Sequence, residues 1–144
     1  MKPLAFLLPL VLATTTAQAV EITPSLVAAT TRWQSNERIA DTGAGVALNI
    51  RPQSGPEWGA AYLQHRTGSE AEHVLAVGPR WKTAGRWHVG ASPQLVALQL
   101  QGSTLARPAL TLTGGYNGYH LDLMLLPDTR ARPAGAWLWI RTDL

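Results

Sequence analysis

The sequence predicts an all-β fold, an eight-stranded antiparallel up-and-down barrel that crosses a membrane, and three observations lead to this prediction. Turn-forming residues recur at regular intervals, bulky apolar residues alternate with small or polar ones between the turns, and aromatic residues flank alternate turns. The 144 residues are 46% hydrophobic and only 15% charged, and their Gly and Pro residues are spread along the chain. This composition favours many short elements over long helices.

The first nineteen residues are expected to be a cleaved signal peptide and not part of the fold. Lys2 precedes an apolar run over residues 4–12, and residues 17–19 have the small-x-small pattern that signal peptidase reads. The run contains Pro9 and is shorter than the roughly twenty apolar residues of a membrane-spanning helix. We therefore predict a signal peptide over 1–19 and an outer-membrane barrel over 20–144.

Seven turn signals divide the predicted barrel into eight segments. The strongest is Asn117-Gly118, because both residues tolerate the positive φ of a two-residue hairpin turn. Each segment has about the ten residues that a tilted strand needs to cross a bilayer. The predicted turns are 35–41, 52–56, 67–71, 83–85, 101–104, 117–118 and 127–133. The predicted strands are 22–33, 42–51, 57–66, 72–82, 86–99, 107–116, 119–126 and 134–143.

The alternation of side chains indicates which face of each strand meets lipid. In the second segment Val46, Leu48 and Ile50 share one face, and Gly45 and Asn49 lie on the other. The fourth, sixth and seventh segments alternate in the same way. A soluble barrel would turn the bulky faces inward and expose Gly, Ala and Thr, which soluble strands rarely do. We therefore assign the bulky faces to lipid and the small or polar faces to a crowded lumen.

Aromatic residues give a second indication, because Trp and Tyr prefer membrane interfaces. With the amino terminus in the periplasm, the turns at 52–56, 83–85 and 117–118 are periplasmic. The aromatic residues that flank them on the predicted lipid faces are Trp58, Trp81, Trp87, Tyr116 and Tyr119. These five residues predict one girdle at the periplasmic interface.

Three segments, the first, third and fifth, alternate less cleanly than the others. The fifth changes phase between Pro93 and Val96, so that Val96 and Leu98 continue the apolar face out of step. When the apolar residues change from one strand face to the other beside a proline, a β-bulge is expected, and we predict one over residues 92–95.

On these features the predicted barrel resembles the small eight-stranded outer-membrane barrels of Gram-negative bacteria, the class that contains OmpX, the OmpA barrel, PagP and PagL. The final strand, with Leu138, Ile140 and Thr142 on one face, looks like the carboxy-terminal signal read by the barrel-assembly machinery. Its last residue is Leu144, where this class usually has Phe or Trp. The resemblance implies a place in the cell outer membrane, contact with outer-membrane lipids including lipopolysaccharide, and assembly by that machinery.

The resemblance also leaves a lipid A-modifying enzyme, an acyltransferase or a deacylase, as an alternative. PagL-like deacylases use a His-x-Ser pair and a Glu at the outer end of a strand, and this chain has His65, Ser69 and Glu70 near such an end. Thr67 stands where the Ser of that pair would be. PagP-like enzymes carry an amphipathic helix before the first strand, for which this chain has no room. The simpler expectation is that His65 is a histidine exposed at the rim of the barrel, and this expectation disfavours an enzymatic function.

A cluster of polar residues is predicted to point into the lumen near its periplasmic end. One interpretation is a binding or proton-handling site, since His120 and Asp122 are neighbours on one strand face. The other is an internal salt-bridge network, because unpaired charges in a narrow lumen are costly. Cations outnumber anions, so water or an anion would complete the layer. The cluster comprises Arg51, Arg80, Lys82, His88, His120, Asp122, Arg141 and Asp143.

Several other function classes are excluded or disfavoured. The chain has no Cys, its histidines lie on four different segments, and it has no Gly-rich phosphate loop and no basic run. We therefore expect no metal, no cofactor and no nucleic acid. Short outer loops disfavour a large adhesive surface, and eight strands leave a lumen filled by side chains. The prediction is a monomeric barrel with a structural role in the envelope, and a soluble periplasmic barrel that binds a small apolar ligand is a further alternative.

Overall fold

Eight strands follow one another around a closed barrel, and each pairs antiparallel with its neighbours in the chain. The computed structural model describes residues 20–34, 37–67, 70–100, 102–130 and 133–144, so the expected signal peptide at 1–19 lies outside the described residues. Pairing of the first strand with the last closes the barrel. The strands are β1 (Glu21–Gln34), β2 (Glu37–Arg51), β3 (Glu57–Thr67), β4 (Glu70–Lys82), β5 (Trp87–Leu100), β6 (Ser103–Tyr116), β7 (Tyr119–Leu126) and β8 (Gly135–Asp143).

The predicted fold class, an all-β antiparallel barrel of eight strands, is confirmed. In the described part of the chain, no helix is long and apolar enough to cross a membrane. One end of the barrel holds the turns at residues 52–56, 83–86 and 117–118, together with the start of β1 and the end of β8, and we call it the short-turn end. The predicted strand boundaries agree best with the structure at this end. At the opposite end the strands run longer than predicted, since β2 begins at Glu37 and β6 at Ser103.

Residues with positive φ explain why the turns at the short-turn end were predictable. Asn117 and Gly118 have φ of 47° and 82°, the left-handed pair that a two-residue hairpin needs. Gly85 adopts a φ of 115° in the turn between β4 and β5. At the opposite end the strands themselves contain many polar residues. From composition alone, these strand ends were therefore predicted to be turns.

The outer surface of the barrel is apolar, as the alternation predicted. Val46, Leu75 and Leu112 point outward, whereas Asn49, Ala76 and Thr113 from the same strands are buried in the lumen. The other large apolar residues exposed on the strands include Ile22, Leu26, Leu48, Ile50, Trp58, Tyr62, Val77, Trp81, Trp87, Val89, Leu95, Leu110, Tyr116, Tyr119, Leu121 and Ile140. Together they form a continuous apolar belt around the outside.

The predicted bulge in β5 is wrong. This strand pairs with β6 in one uninterrupted register, and it keeps one phase with Pro93 and Leu95 outside and Gln94 and Val96 inside. The sequence pattern misled because the lumen beyond Gln94 is itself apolar, so inward residues such as Leu98 resemble outward ones. The register shift lies in β1 instead, between Ala29 and Thr31, where β1 pairs with both β2 and β8.

The lumen is filled by side chains from all around the barrel. Leu63, Val74, Val96 and Met124 have no exposed surface, and Trp137 is nearly as deeply buried. These residues form an apolar plug in the middle of the lumen and toward its opposite end. The polar residues of the lumen therefore divide into two groups, one on each side of the plug.

Gly78 marks a place where the barrel has no room for a side chain. A Cβ at this position would overlap the carbonyl oxygen of Pro93 on the neighbouring strand. We expect Gly78→Ala to lower the folding yield in detergent and the urea midpoint of unfolding. Gly114→Ala is the matched control, because a Cβ there would meet no atom within 4 Å. Equal midpoints for the two variants would contradict this account of the packing.

Candidate functional site

The short-turn end of the lumen holds all eight residues of the predicted polar cluster. Each is one of the two inward residues of its strand nearest this end of the barrel, so strand alternation and the positions of the turns place them together. They do not share one environment. Arg80, His120, Asp122 and Arg141 are buried. Lys82, His88 and Asp143 are less enclosed, and Arg51 is exposed at the mouth.

A buried ion pair between β7 and β8 forms the inner part of the cluster. Arg141 Nε donates to Asp122 Oδ2 at 2.9 Å, and both side chains are almost completely enclosed. The other carboxylate oxygen of Asp122 accepts from the Thr113 hydroxyl on β6. Arg141 also lies 3.3 Å from Asp143 Oδ1 and 3.5 Å from Ser25 Oγ on β1. These contacts connect four consecutive strands across the point where the barrel closes.

Two histidines and an aspartate form a hydrogen-bonded chain nearer the mouth. His120 Nε2 lies 2.9 Å from Asp143 Oδ2, and His120 Nδ1 lies 2.8 Å from His88 Nε2. Because a carboxylate only accepts, His120 donates from Nε2, and in the neutral ring Nδ1 then accepts from His88. The second oxygen of Asp143 accepts from Ser25 Oγ at 2.7 Å. His120 thus has a partner at each ring nitrogen.

Gly115 makes the contact between the two histidines possible. It lies on β6 directly between them, paired with His88 on one side and with His120 on the other. A Cβ at this position would overlap Nε2 of His88. The rings therefore meet over the glycine, with centroids 4.8 Å apart.

Glu57 organises the cations at the mouth. Its Oε2 accepts from Arg51 at 3.2 Å and lies 3.3 Å from Lys82 Nζ. Arg51 also contacts Glu21 at 2.9 Å, in a pair that is exposed to solvent. The sequence analysis missed Glu57 because it is the first residue of a strand whose alternation is mixed.

Arg80 lies deeper than these cations and has a different environment. Its Nη1 donates to Asn49 Oδ1 at 2.8 Å, and its Nη2 lies close over Gly59. The Arg80 Nε is buried and has no hydrogen-bond partner among the described residues. The carboxylate opposite it across the strands, that of Glu57, pairs with Arg51 and Lys82 instead.

A cavity of about 690 Å³, the short-turn cavity, opens at this end of the barrel. Its charged walls include Arg51, Glu57, Arg80, Lys82, Arg86 and Asp143, and His88 and His120 also line it. Water can therefore reach the outer half of the polar cluster. Among the described residues, no group of three or more His, Asp or Glu side chains is placed to hold a metal ion.

Of the residues proposed for an enzyme, His65 lies at the opposite end of the barrel. His65 was expected to be exposed at the rim, and this is wrong: only 1% of its surface is exposed. Its ring points into the lumen and packs against Trp137, with centroids 5.1 Å apart. The strand phase that places Leu63 inside also places His65 inside. Ser69 and the side chain of Glu70 lie outside the described part of the chain.

A second polar group, beyond the plug, was missed by sequence reasoning. Arg32 on β1 pairs with Glu72 on β4 at 2.9 Å across the lumen. Arg107 on β6 donates to the carbonyl oxygens of Pro127 and Pro133 in the β7–β8 connection. Strand alternation could have placed Arg107 inside the lumen, but the predicted strand began only at Arg107, whereas β6 begins at Ser103.

Comparison with solved structures shows a likeness of fold. The sequence matches no protein-family model and no curated protein. The fold is similar to the crystal structure of Ail, the attachment invasion locus protein of Yersinia pestis, in complex with the heparin analogue sucrose octasulfate. The likeness covers 89% of this chain and 99% of that chain, with 12% sequence identity and a TM-score of 0.35.

The buried pair of Asp122 and Arg141 is expected to be essential for stability. Asp122→Asn leaves the Arg141 charge enclosed without its counterion, which should lower the free energy of unfolding by about 3–5 kcal/mol. The measurement is urea unfolding in detergent micelles. The control is Glu21→Gln, which breaks an exposed pair with Arg51 and should change it by about 0–1 kcal/mol. Equal losses in the two variants would contradict the inner network.

Proposed function

We propose that this protein is a monomeric integral barrel of a Gram-negative outer membrane, with a side-chain-filled lumen and a structural role in the envelope. The observation that supports the proposal most strongly is the apolar belt. Bulky side chains such as Val46, Leu75 and Leu121 face outward on strand after strand, while charged residues such as Asp122 and Arg141 are inside. Water outside the barrel would reverse this arrangement, whereas lipid favours it.

Aromatic residues support an orientation in the membrane. Trp58, Trp81, Trp87, Tyr116 and Tyr119 are all exposed on the outside near the short-turn end. Trp87 and Tyr116 pack together on neighbouring strands, with ring centroids 4.6 Å apart. A ring of exposed Trp and Tyr is typical of a membrane interface, and short turns are typical of the periplasmic side of such barrels. We assign the short-turn end to the periplasm.

Polar residues support the position of the other interface. Gln64, His73 and Gln99 are successive cross-strand partners on the outer face of β3, β4 and β5. His73 Nδ1 lies 2.7 Å from the Tyr62 hydroxyl one row closer to the belt. This row ends the apolar belt on that side and suits a headgroup region. Outer-membrane lipids, including lipopolysaccharide, are the partners that such a surface would contact.

The filled lumen supports a structural role over a transport role. The plug of Leu63, Val74, Val96 and Met124 leaves none of these side chains accessible to solvent. Eight strands form a barrel whose interior side chains fill it, in contrast to the wide channels of larger porins. The soluble alternative, with an apolar ligand inside, requires bulky faces that turn inward, and the described strands turn them outward. Export by the signal peptide and insertion by the barrel-assembly machinery belong to the proposal.

Membrane fractionation with a semi-native gel tests this proposal. We expect the expressed protein in the outer-membrane fraction, with a gel mobility that changes when the sample is boiled, because a closed barrel stays folded in detergent until it is heated. A band in the soluble periplasmic fraction that does not shift on boiling would overturn it.

A cation in the middle of the apolar belt is expected to block insertion. Leu112 lies outward on β6 between Ala91 and Leu123 on the adjacent strands. Leu112→Arg should cost about 2–4 kcal/mol in folding into vesicles, since Arg is least tolerated at the bilayer midplane. Tyr119→Arg, at the edge of the belt, is the matched control and should cost about 0–1 kcal/mol. A larger penalty at the edge than in the middle would contradict the proposed belt.

A further inference from the structure

We propose that the short-turn cavity is a binding site for an oxyanion, a phosphate or a carboxylate group, with Arg80 as its principal ligand. This inference goes beyond the structural role and does not depend on it, since it requires only the folded barrel. Three features carry it: the incomplete coordination of Arg80, the distribution of charge around the cavity, and the access of the cavity to solvent.

Arg80 is a buried cation that makes no direct ion pair with a carboxylate of the described residues. Only 6% of its surface is exposed, and its side-chain hydrogen bond within the described residues is to the neutral amide of Asn49. In the described part of the chain no carboxylate forms an ion pair with it, and its buried Nε has no acceptor. An enclosed guanidinium needs both charge compensation and acceptors for its five N–H groups. The described residues therefore leave the Arg80 Nε without an acceptor.

The carboxylates nearest to the cavity are already engaged by other cations. Glu57 is shared by Arg51 and Lys82 through its Oε2, while its buried Oε1 has no hydrogen-bond partner among the described residues. Asp143 accepts from Ser25 and His120 and lies 3.3 Å from Arg141. The cavity walls also carry Arg86, so their cations, Arg51, Arg80, Lys82 and Arg86, outnumber the two carboxylates. A bound anion would balance this excess.

The position of Arg80 suits recognition of an oxyanion. Its guanidinium lines a cavity of about 690 Å³ that opens to solvent, with Lys82 and Arg86 nearer the mouth. A planar guanidinium binds carboxylate or phosphate with two parallel hydrogen bonds, which a spherical halide cannot accept in the same way. Cations at the entrance would attract the anion, and Arg80 would hold it. We therefore expect oxyanions to bind in preference to chloride.

The experiment is a titration of the folded protein with sodium phosphate in phosphate-free detergent micelles, at constant ionic strength set with sodium chloride. The readout is the Nε–H resonance of Arg80 in a ¹H–¹⁵N spectrum. The expected result is a saturable shift with phosphate that chloride does not produce. A non-saturable response, or the same response to both salts, would overturn the proposal.

Variants test whether Arg80 is the residue that binds the anion. For these the readout is phosphate affinity by calorimetry, because Arg80→Met removes the resonance. Loss of a charge-assisted hydrogen-bonding group should weaken binding about tenfold to a hundredfold. Arg86→Gln, at the exposed mouth, serves if Arg80→Met does not fold, and should weaken binding several-fold. The control is Arg130→Gln, an exposed arginine in the β7–β8 connection. Unchanged affinity in both cavity variants would overturn the assignment.

A second arm distinguishes a free oxyanion from the phosphate of a lipid headgroup. The protein is placed in nanodiscs that contain phosphatidylglycerol and no free phosphate. A resonance of Arg80 that stays at its phosphate-free position until phosphate is added supports a soluble oxyanion. A resonance already at the phosphate-bound position, which free phosphate no longer shifts, supports the oxyanion site with a lipid headgroup as its occupant.

Discussion

Closure of the sheet, by pairing of β1 with β8, is the constraint on which the rest of the structure depends. Closure gives every strand two neighbours and leaves no open sheet edge to be solvated, which is the condition for a sheet to lie in lipid. It also makes the interior narrow. Each inward side chain must fit beside the others, and each inward charge must find a partner across the lumen or through the open end.

The lumen meets this condition differently at different depths. In the middle, apolar side chains such as Val74 and Met124 fill the space and need no partners. Toward the short-turn end, Asp122 and Arg141 are compensated by one another and by neighbours on two further strands. At the mouth, where water has access, Glu57 holds two cations, and deeper in the lumen Arg80 is hydrogen-bonded to the Asn49 amide. The incomplete coordination thus occurs at the boundary between the enclosed network and the open cavity.

The sequence predicted the strands and the outer face well, because both depend on local signals. Asn117-Gly118 determines a turn by its backbone alone, and lipid imposes a uniform demand on outward residues such as Val46. The lumen imposes no uniform demand, so inward Val96 looked like an outward residue and His65 was placed at the rim. The meeting of His88 and His120 over Gly115 depends on the registers of two strand pairs, which no local pattern contains.

Along each strand, successive residues face lipid and a filled lumen in turn, and this alternation is the central claim. The collision accessibility of spin labels tests it most directly. The chain has no Cys, so a single one can be introduced without background at each position of 110–113 on β6. Labels at Leu110 and Leu112 should be accessible to oxygen dissolved in the bilayer, and those at Thr111 and Thr113 to neither oxygen nor a water-soluble relaxant. Equal accessibility along the strand, or oxygen access at Thr111 and Thr113 alone, would contradict it.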